Sequence, residues 1–204
     1  GRFLSVFGRN AAPALYLPSL DKEESWFLLQ GGYPNRAGYI PVHRFLAVRF
    51  DGKKLSEELL QKALEGKGTD LLTELLLRTR LHDGPPNDEK DPDFQLIKSL
   101  VPTSIDALKK VLEKAKADYE RQALPALERS IEELKKLKIK HEEALNLFGE
   151  KNDGRVNTRR SNKRDQIELQ FNSAEAFQRN NVNLESDPYM QLIAVFTGAK
   201  KEGC

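Results

Sequence analysis

Two consecutive runs of helical pattern, from Thr103 to Gly149 and from Arg155 to about Asn180, constrain the fold more than any other feature of the chain. In the first, Leu127, Ile131, Leu134, Leu145 and Phe148 recur at coiled-coil spacing, and in the second Ile167, Phe171 and Ala174 do the same. The stretch between them, flanked by Gly149 and Gly154, is polar and mostly basic. The spacing therefore predicts two helices folded back on each other. A narrow apolar stripe buries too little surface to stand alone, so the flanking sequence has to anchor the pair.

That flanking sequence reads as strands. Arg2 to Phe7 and Ser25 to Gln30 are short apolar or aromatic runs. From Val42 the pattern alternates, with Val42, Arg44, Leu46, Val48 and Phe50 on one face and His43, Phe45, Ala47 and Arg49 on the other, which makes a hairpin partner for Trp26 to Gln30. Neither face is purely polar, so the sheet is expected to be covered on both sides. The connection GGYPNRAGY holds Tyr33, Asn35, Arg36 and Tyr39 beside glycines, which offers a binding loop as one reading, but its Pro-Asn pair and glycines favour the other, a hairpin turn. Pro41 belongs at a strand entrance or an edge.

Two short helices are expected next, LSEELLQKAL from Leu55 and TDLLTELLLRTRL from Thr69, capped by Ser56 and Thr69 and broken by Gly66 and Gly68. His82 to Asp93 is too rich in Pro, Gly and Asp for regular structure. Asp93 to Ser99 can add a helical turn before VPTSID, and Thr103 and Asp106 are spaced as a capping box for the long helix. Pro125 is expected to bend that helix where it leaves the base. Lys138 and His141 interrupt the seam between Leu134 and Leu145, and the run from Pro188, PYMQLIAVFTG, closes the sheet. The fold expected is α+β: a small antiparallel sheet with short helices (1–102), a long antiparallel helical-hairpin or coiled-coil arm (103–186) and a closing strand (187–204).

Charge balance does not by itself indicate a partner, since 33 Lys and Arg stand against 31 Asp and Glu for a net charge of +2. Distribution carries more. Lys151, Arg155, Arg159, Arg160, Lys163 and Arg164 cluster between and into the second helical run, interrupted by Asp153. Cations in such a place can neutralise phosphates of DNA or RNA, and Asn152, Asn157, Thr158, Ser161 and Asn162 can add hydrogen bonds to a nucleic-acid backbone. The competing reading pairs these cations with Glu142, Glu143 and Glu150 on the facing run.

Other chemistries lack their parts. The only cysteine is Cys204, which leaves no disulfide and no cysteine-based zinc site. The histidines His43, His82 and His141 have no triad or metal-ligand spacing, and no phosphate-binding loop or HExxH motif is present. Asp83, Asp88, Glu89, Asp91 and Asp93 share one loop without calcium-loop spacing, so that loop reads as solvated. No catalytic residue, metal or cofactor is expected. No run has the length of a membrane span and the N-terminus lacks the apolar length of a secretory signal, so a cytoplasmic protein is expected. The single methionine, Met190, is internal, which fits a fragment or a processed product.

The order of these parts resembles the region that follows the motor in RapA/HepA-like bacterial or archaeal helicases of the Swi/Snf group. The matching segments are YIPVHRFLAVRFDGKKL, the run ALKKVLEKAKADYERQALPALERSIEEL, the return RRSNKRDQIEL and the final PYMQLIAVFTG, together covering roughly Ser25 to Thr197. The family's ATPase motifs have no counterpart here. The resemblance implies a non-catalytic accessory domain with the helicase motor domains as partners in cis. It also implies contact with nucleic acid or a protein complex such as RNA polymerase. A stand-alone protein-interaction module acting through the helical arm is the alternative.

Overall fold

The computed structural model describes residues 12–52, 54–59, 77, 92–147 and 154–198. They form β1 (Ala14–Tyr16), β2 (Glu24–Tyr33), β3 (Val42–Asp51), β4 (Lys54–Leu59), α1 (Phe94–Leu147), α2 (Gly154–Val182) and β5 (Tyr189–Thr197). The chain divides into two compact units, one of Gly1–Tyr33, Val42–Ala115 and Asp187–Cys204, the other of Pro34–Pro41 and Lys116–Ser186. Residues 103–115, expected in the arm, thus fall in the unit that holds the sheet. The α+β class holds: the described residues comprise a five-stranded, mostly antiparallel sheet and two helices, one of them 54 residues long.

In the first unit the strand order is β1-β5-β2-β3-β4, with β1 parallel to β5 and every other pair antiparallel. The β2–β3 register runs from Glu24 opposite Asp51 to Tyr33 opposite Val42, so the two alternating faces expected for β3 are the ones observed. One face carries Phe27, Leu29 and Tyr33 with Val42, Leu46, Val48 and Phe50, all buried, and Phe27 meets Phe50 edge-on at 5.4 Å. The early part of α1 lies on this face. Its Ile97, Ser104, Leu108, Leu112 and Ala115, spaced by seven, four, four and three residues on one helix face, are buried, with Leu108 and Leu112 seated over Gly31.

The opposite face holds a smaller core of Leu17, Leu20, Trp26, Ala194 and Phe196, with Leu15, Leu28 and Ile193 packed against it. Glu24, 1% exposed, is buried at its edge. Its Oε1 accepts the Trp26 indole N–H at 3.0 Å and meets Arg49 Nε at 2.9 Å. The sheet is therefore covered on both sides. The buried hydroxyls of Ser25 and Thr197 share a 2.8 Å hydrogen bond that joins β2 to the closing strand.

Three local expectations are corrected. The helix expected from Leu55 is, over residues 54–59, the edge strand β4, paired antiparallel with β3 from Asp51 opposite Lys54 to Leu46 opposite Leu59. Gly52 adopts a φ of 58°, which reverses the chain within one tight turn and delivers the segment to the open edge of β3. Ser56 is accordingly a strand residue, not a cap. The rest of that expected helix, the helix from Thr69 apart from the helical Leu77, and the strand from Arg2 to Phe7 lie outside the described residues.

The second correction is where α1 begins. Asp93, not Thr103, caps it: Asp93 Oδ1 accepts the backbone N–H groups of Gln95 at 2.9 Å and Leu96 at 3.1 Å. Thr103 and Asp106 are exposed interior residues of a helix that runs on through Pro102. Burial of the stripe at Ile97, Ser104 and Leu108 outweighs the roughly 3 kcal/mol that an interior proline costs. Third, the division between the units falls at Ala115, upstream of Pro125, where the arm was expected to leave the base; α1 spans that proline, as expected.

Candidate nucleic-acid interface

Within the second unit, side chains of α1 meet side chains of α2. Leu127 and Ile131 line a cleft with Arg179 and Asn183, Lys138 Nζ lies 3.9 Å from Glu168, His141 lies 5.8 Å from the Phe171 ring, and Asn146 Oδ1 accepts from Arg164 Nη2 at 3.2 Å. Leu127, Ile131 and Ile167 are buried, Leu134, Leu145, Phe171 and Ala174 half-buried, and Phe148 lies outside the described residues.

The contacts also say what Lys138 and His141 do. Lys138 reaches the carboxylate of Glu168, and His141 leans on Phe171, so a polar pair and a ring contact replace aliphatic packing at these two levels. Leu127 borders clefts of about 390 and 370 Å³, the second also lined by Gln178 and Val182.

Of the six cations singled out in the sequence, Lys151 lies outside the described residues. Arg155, Arg159 and Arg160 belong to the backbone of α2, while their side chains also lie outside what is described. Lys163 and Arg164 are described and exposed, with Ser161, Asn162, Asp165 and Gln166 exposed around them. Arg164 stands three residues before the buried Ile167, so the register that is apolar further along α2 turns basic here.

Among the described residues neither Lys163 nor Arg164 makes an ion pair with Glu142 or Glu143. Arg164 reaches an amide, Asn146, and Glu168 is taken by Lys138. Glu150 lies outside the described residues. The first turn of α2 carries no acidic residue, which leaves the positive end of the helix dipole uncompensated by carboxylates in that turn.

The same unit contains the loop that the sequence pattern marked as a turn. Asn35, 4% exposed, organises the Pro34–Pro41 loop against the end of α2. Its Oδ1 accepts the N–H groups of Ala37 at 3.1 Å and Tyr39 at 2.8 Å, and its Nδ2 donates to Asn181 O at 2.6 Å. Arg36 N–H donates to Asn183 O and Ala37 N–H to Asn180 O, so the loop satisfies carbonyls at the C-terminus of α2. The Pro-Asn pair was the available signal: an Asn side chain that bonds to backbone two residues on fixes a turn.

The histidines in view are packing groups. His43 sits edge-on to Phe45 at 4.6 Å and stacks near Tyr189 at 6.1 Å, and burial raises the Tyr189 phenol above its ordinary value. His82, Asp83, Asp88, Glu89 and Asp91 lie outside the described residues, and Asp93 is the α1 cap. Among the described residues no three His, Cys, Asp or Glu side chains come together as a metal site. None of the described helices is long and apolar enough to cross a membrane. Comparison with protein-family models, with curated proteins and with solved structures returns no match.

Proposed function

We propose that this chain is a non-catalytic accessory module in which α1 and α2 pair as an antiparallel coiled-coil arm whose basic end contacts the backbone of DNA or RNA. The observation that carries the reading is the exposure of Lys163 and Arg164 with no carboxylate partner among the described residues. They continue toward the N-terminal end of α2, whose first turn has no acidic residue and whose dipole favours anions. Contacts of this kind neutralise phosphates without reading sequence. The resemblance to RapA/HepA-like helicases supports a setting in which the sheet unit docks on motor domains in cis and the arm positions nucleic acid or a protein complex such as RNA polymerase.

Replacing Arg159, Arg160, Lys163 and Arg164 together by Glu tests the reading. Binding of labelled DNA and RNA should weaken sharply and its dependence on salt should flatten, because the slope counts phosphates neutralised. Unchanged affinity would sink it.

The second reading, a protein-interaction module acting through the arm, is favoured by Leu169 and Phe177, each 68% exposed on α2 away from the buried Ile167. Sedimentation of the chain with and without Leu169→Glu and Phe177→Glu separates the two. Self-association that these changes abolish, without salt-sensitive nucleic-acid binding, favours the second.

A further inference from the structure

The Pro34–Pro41 loop is more rigidly built than a hairpin connection requires. Besides the three hydrogen bonds of the buried Asn35 side chain, Asn35 N–H donates to Tyr39 O at 2.7 Å, Gly38 N–H to Asn35 O at 3.0 Å and Glu185 N–H to Pro34 O at 2.8 Å. Gly38 supplies the positive φ of 88° that closes the turn. These bonds account for Asn35, Arg36 N–H and Ala37 N–H. They do not account for what the loop presents, a Tyr39 ring 69% exposed beside Ile40 at 46%, with the exposed Arg36 three residues away.

We infer that this loop is a stacking site for single-stranded nucleic acid, with a base on the Tyr39 ring, Ile40 widening the apolar surface beneath it and Arg36 at a flanking phosphate. The inference rests on the nucleic-acid reading above and deepens it by naming the strandedness of the ligand. Charge favours this occupant: residues 34–41 contain one cation and no carboxylate, and among the described residues Arg36 has no ion pair. An aromatic ring on a pre-ordered loop stacks on any base, because every base offers a π-face. In a duplex those faces are taken by neighbouring base pairs, so the ring reaches one only at an end. The hydrogen bonds of Asn35 mean that little further ordering is needed on binding.

The loop is also separable from the basic end of α2. It caps the last turn of that helix, and at about 1.5 Å per residue Lys163 lies roughly 30 Å back along the axis from Val182. No single nucleotide touches both, so the two sites can be disabled independently.

The experiment measures fluorescence anisotropy of a labelled oligothymidine and of a blunt duplex of equal length, using the full chain, its Tyr39→Ala and Tyr39→Phe variants, and a Lys163→Glu/Arg164→Glu variant. Tyr39→Ala should weaken single-strand binding about tenfold, with duplex binding nearly unchanged, and Tyr39→Phe should retain wild-type affinity. The Tyr39 side chain is exposed, so thermal melts should coincide for all three. If Tyr39→Ala binds single strands as well as wild type, or if Phe fails as badly as Ala, the stacking site is refuted. Should the charge reversal weaken binding while Tyr39→Ala does not, only the loop inference falls. If the wild-type chain binds neither ligand, the loop inference and the proposed function fall together.

Discussion

Arg49 Nε stands 2.9 Å from the carboxylate of Glu24, a side chain only 1% exposed, and the Arg49 guanidinium also lies 5.4 Å from the centre of the Trp26 ring. Trp26 donates its indole N–H to the same carboxylate oxygen. Removing Glu24 would take away the buried carboxylate that Arg49 and the Trp26 indole N–H share. Glu24→Ala should therefore cost about 3 kcal/mol in chemical denaturation. Glu24→Gln, which keeps an acceptor but loses the charge, should cost less. Equal stability of Glu24→Ala and wild type would show that the cluster contributes nothing.

Gly31 makes the second prediction. A Cβ there would lie 2.8 Å from Leu112 Cδ1 and 2.8 Å from the Tyr189 carbonyl oxygen, and the latter is backbone that cannot step aside cheaply. Gly31→Ala should destabilise the sheet unit by about 1–3 kcal/mol through overpacking against α1 and β5. At Gly38 a Cβ meets nothing within 4 Å, so Gly38→Ala carries only the strain of a positive φ, about 1 kcal/mol. Calorimetric melts of both variants check the order.

Cap assignment gives a third. Asp93→Ala should cost about 1 kcal/mol because the N–H groups of Gln95 and Leu96 lose their acceptor. Thr103→Ala and Asp106→Ala, at exposed interior positions of α1, should each stay within about 0.5 kcal/mol of wild type. The reverse order in urea titrations would restore the helix start at Thr103.

These positions also show what the sequence could and could not reveal. The β2–β3 hairpin and both its faces were legible because alternation fixes which side chains share a face, and a one-residue slip would bury Arg49 in place of Val48. β4 was misread because LSEEL has helical composition, whereas its state is set by the open edge of β3 and by Gly52. The Asp-Gly pair at Asp51 and Gly52 was the local signal for that reversal. The start of α1 was missed because a plausible capping box at Thr103 competes with a stripe whose burial depends on the sheet beneath it. Of the candidate interface, the clustering of cations was legible. The freedom of Lys163 and Arg164 from Glu142 and Glu143 was not, because it depends on where Asn146 and Lys138 fall across from them.

Asn35 yields a fourth prediction, on structure alone. Its side chain is buried and makes three hydrogen bonds, so Asn35→Ala takes from the Tyr39 N–H and the Asn181 carbonyl their bonds to this amide and leaves the Ala37 N–H with the Asn180 carbonyl alone. The cost should be about 2 kcal/mol. Hydrogen exchange should speed up at Ala37 and Tyr39 while remaining unchanged at Trp26 and Phe27 in the sheet. Uniform acceleration across both units would instead mean that the loop is not a local cap.

The last prediction concerns acid. Arg179 donates to Glu175 at 2.8 Å, and that hydrogen bond holds the Glu175 carboxyl below its ordinary value of 4.5. A carboxyl whose folded value is depressed contributes stability that is fully present above the ordinary value and is lost as pH falls through the lowered one. The pair is exposed, so the contribution is small and screened by salt. The difference in melting temperature between wild type and Glu175→Gln should therefore be present at neutral pH, shrink only below the ordinary carboxylate range, and shrink also on adding salt at neutral pH. A difference that persists undiminished in acid would assign the effect of Glu175 to packing beside Phe171 and Arg179 instead of to its charge.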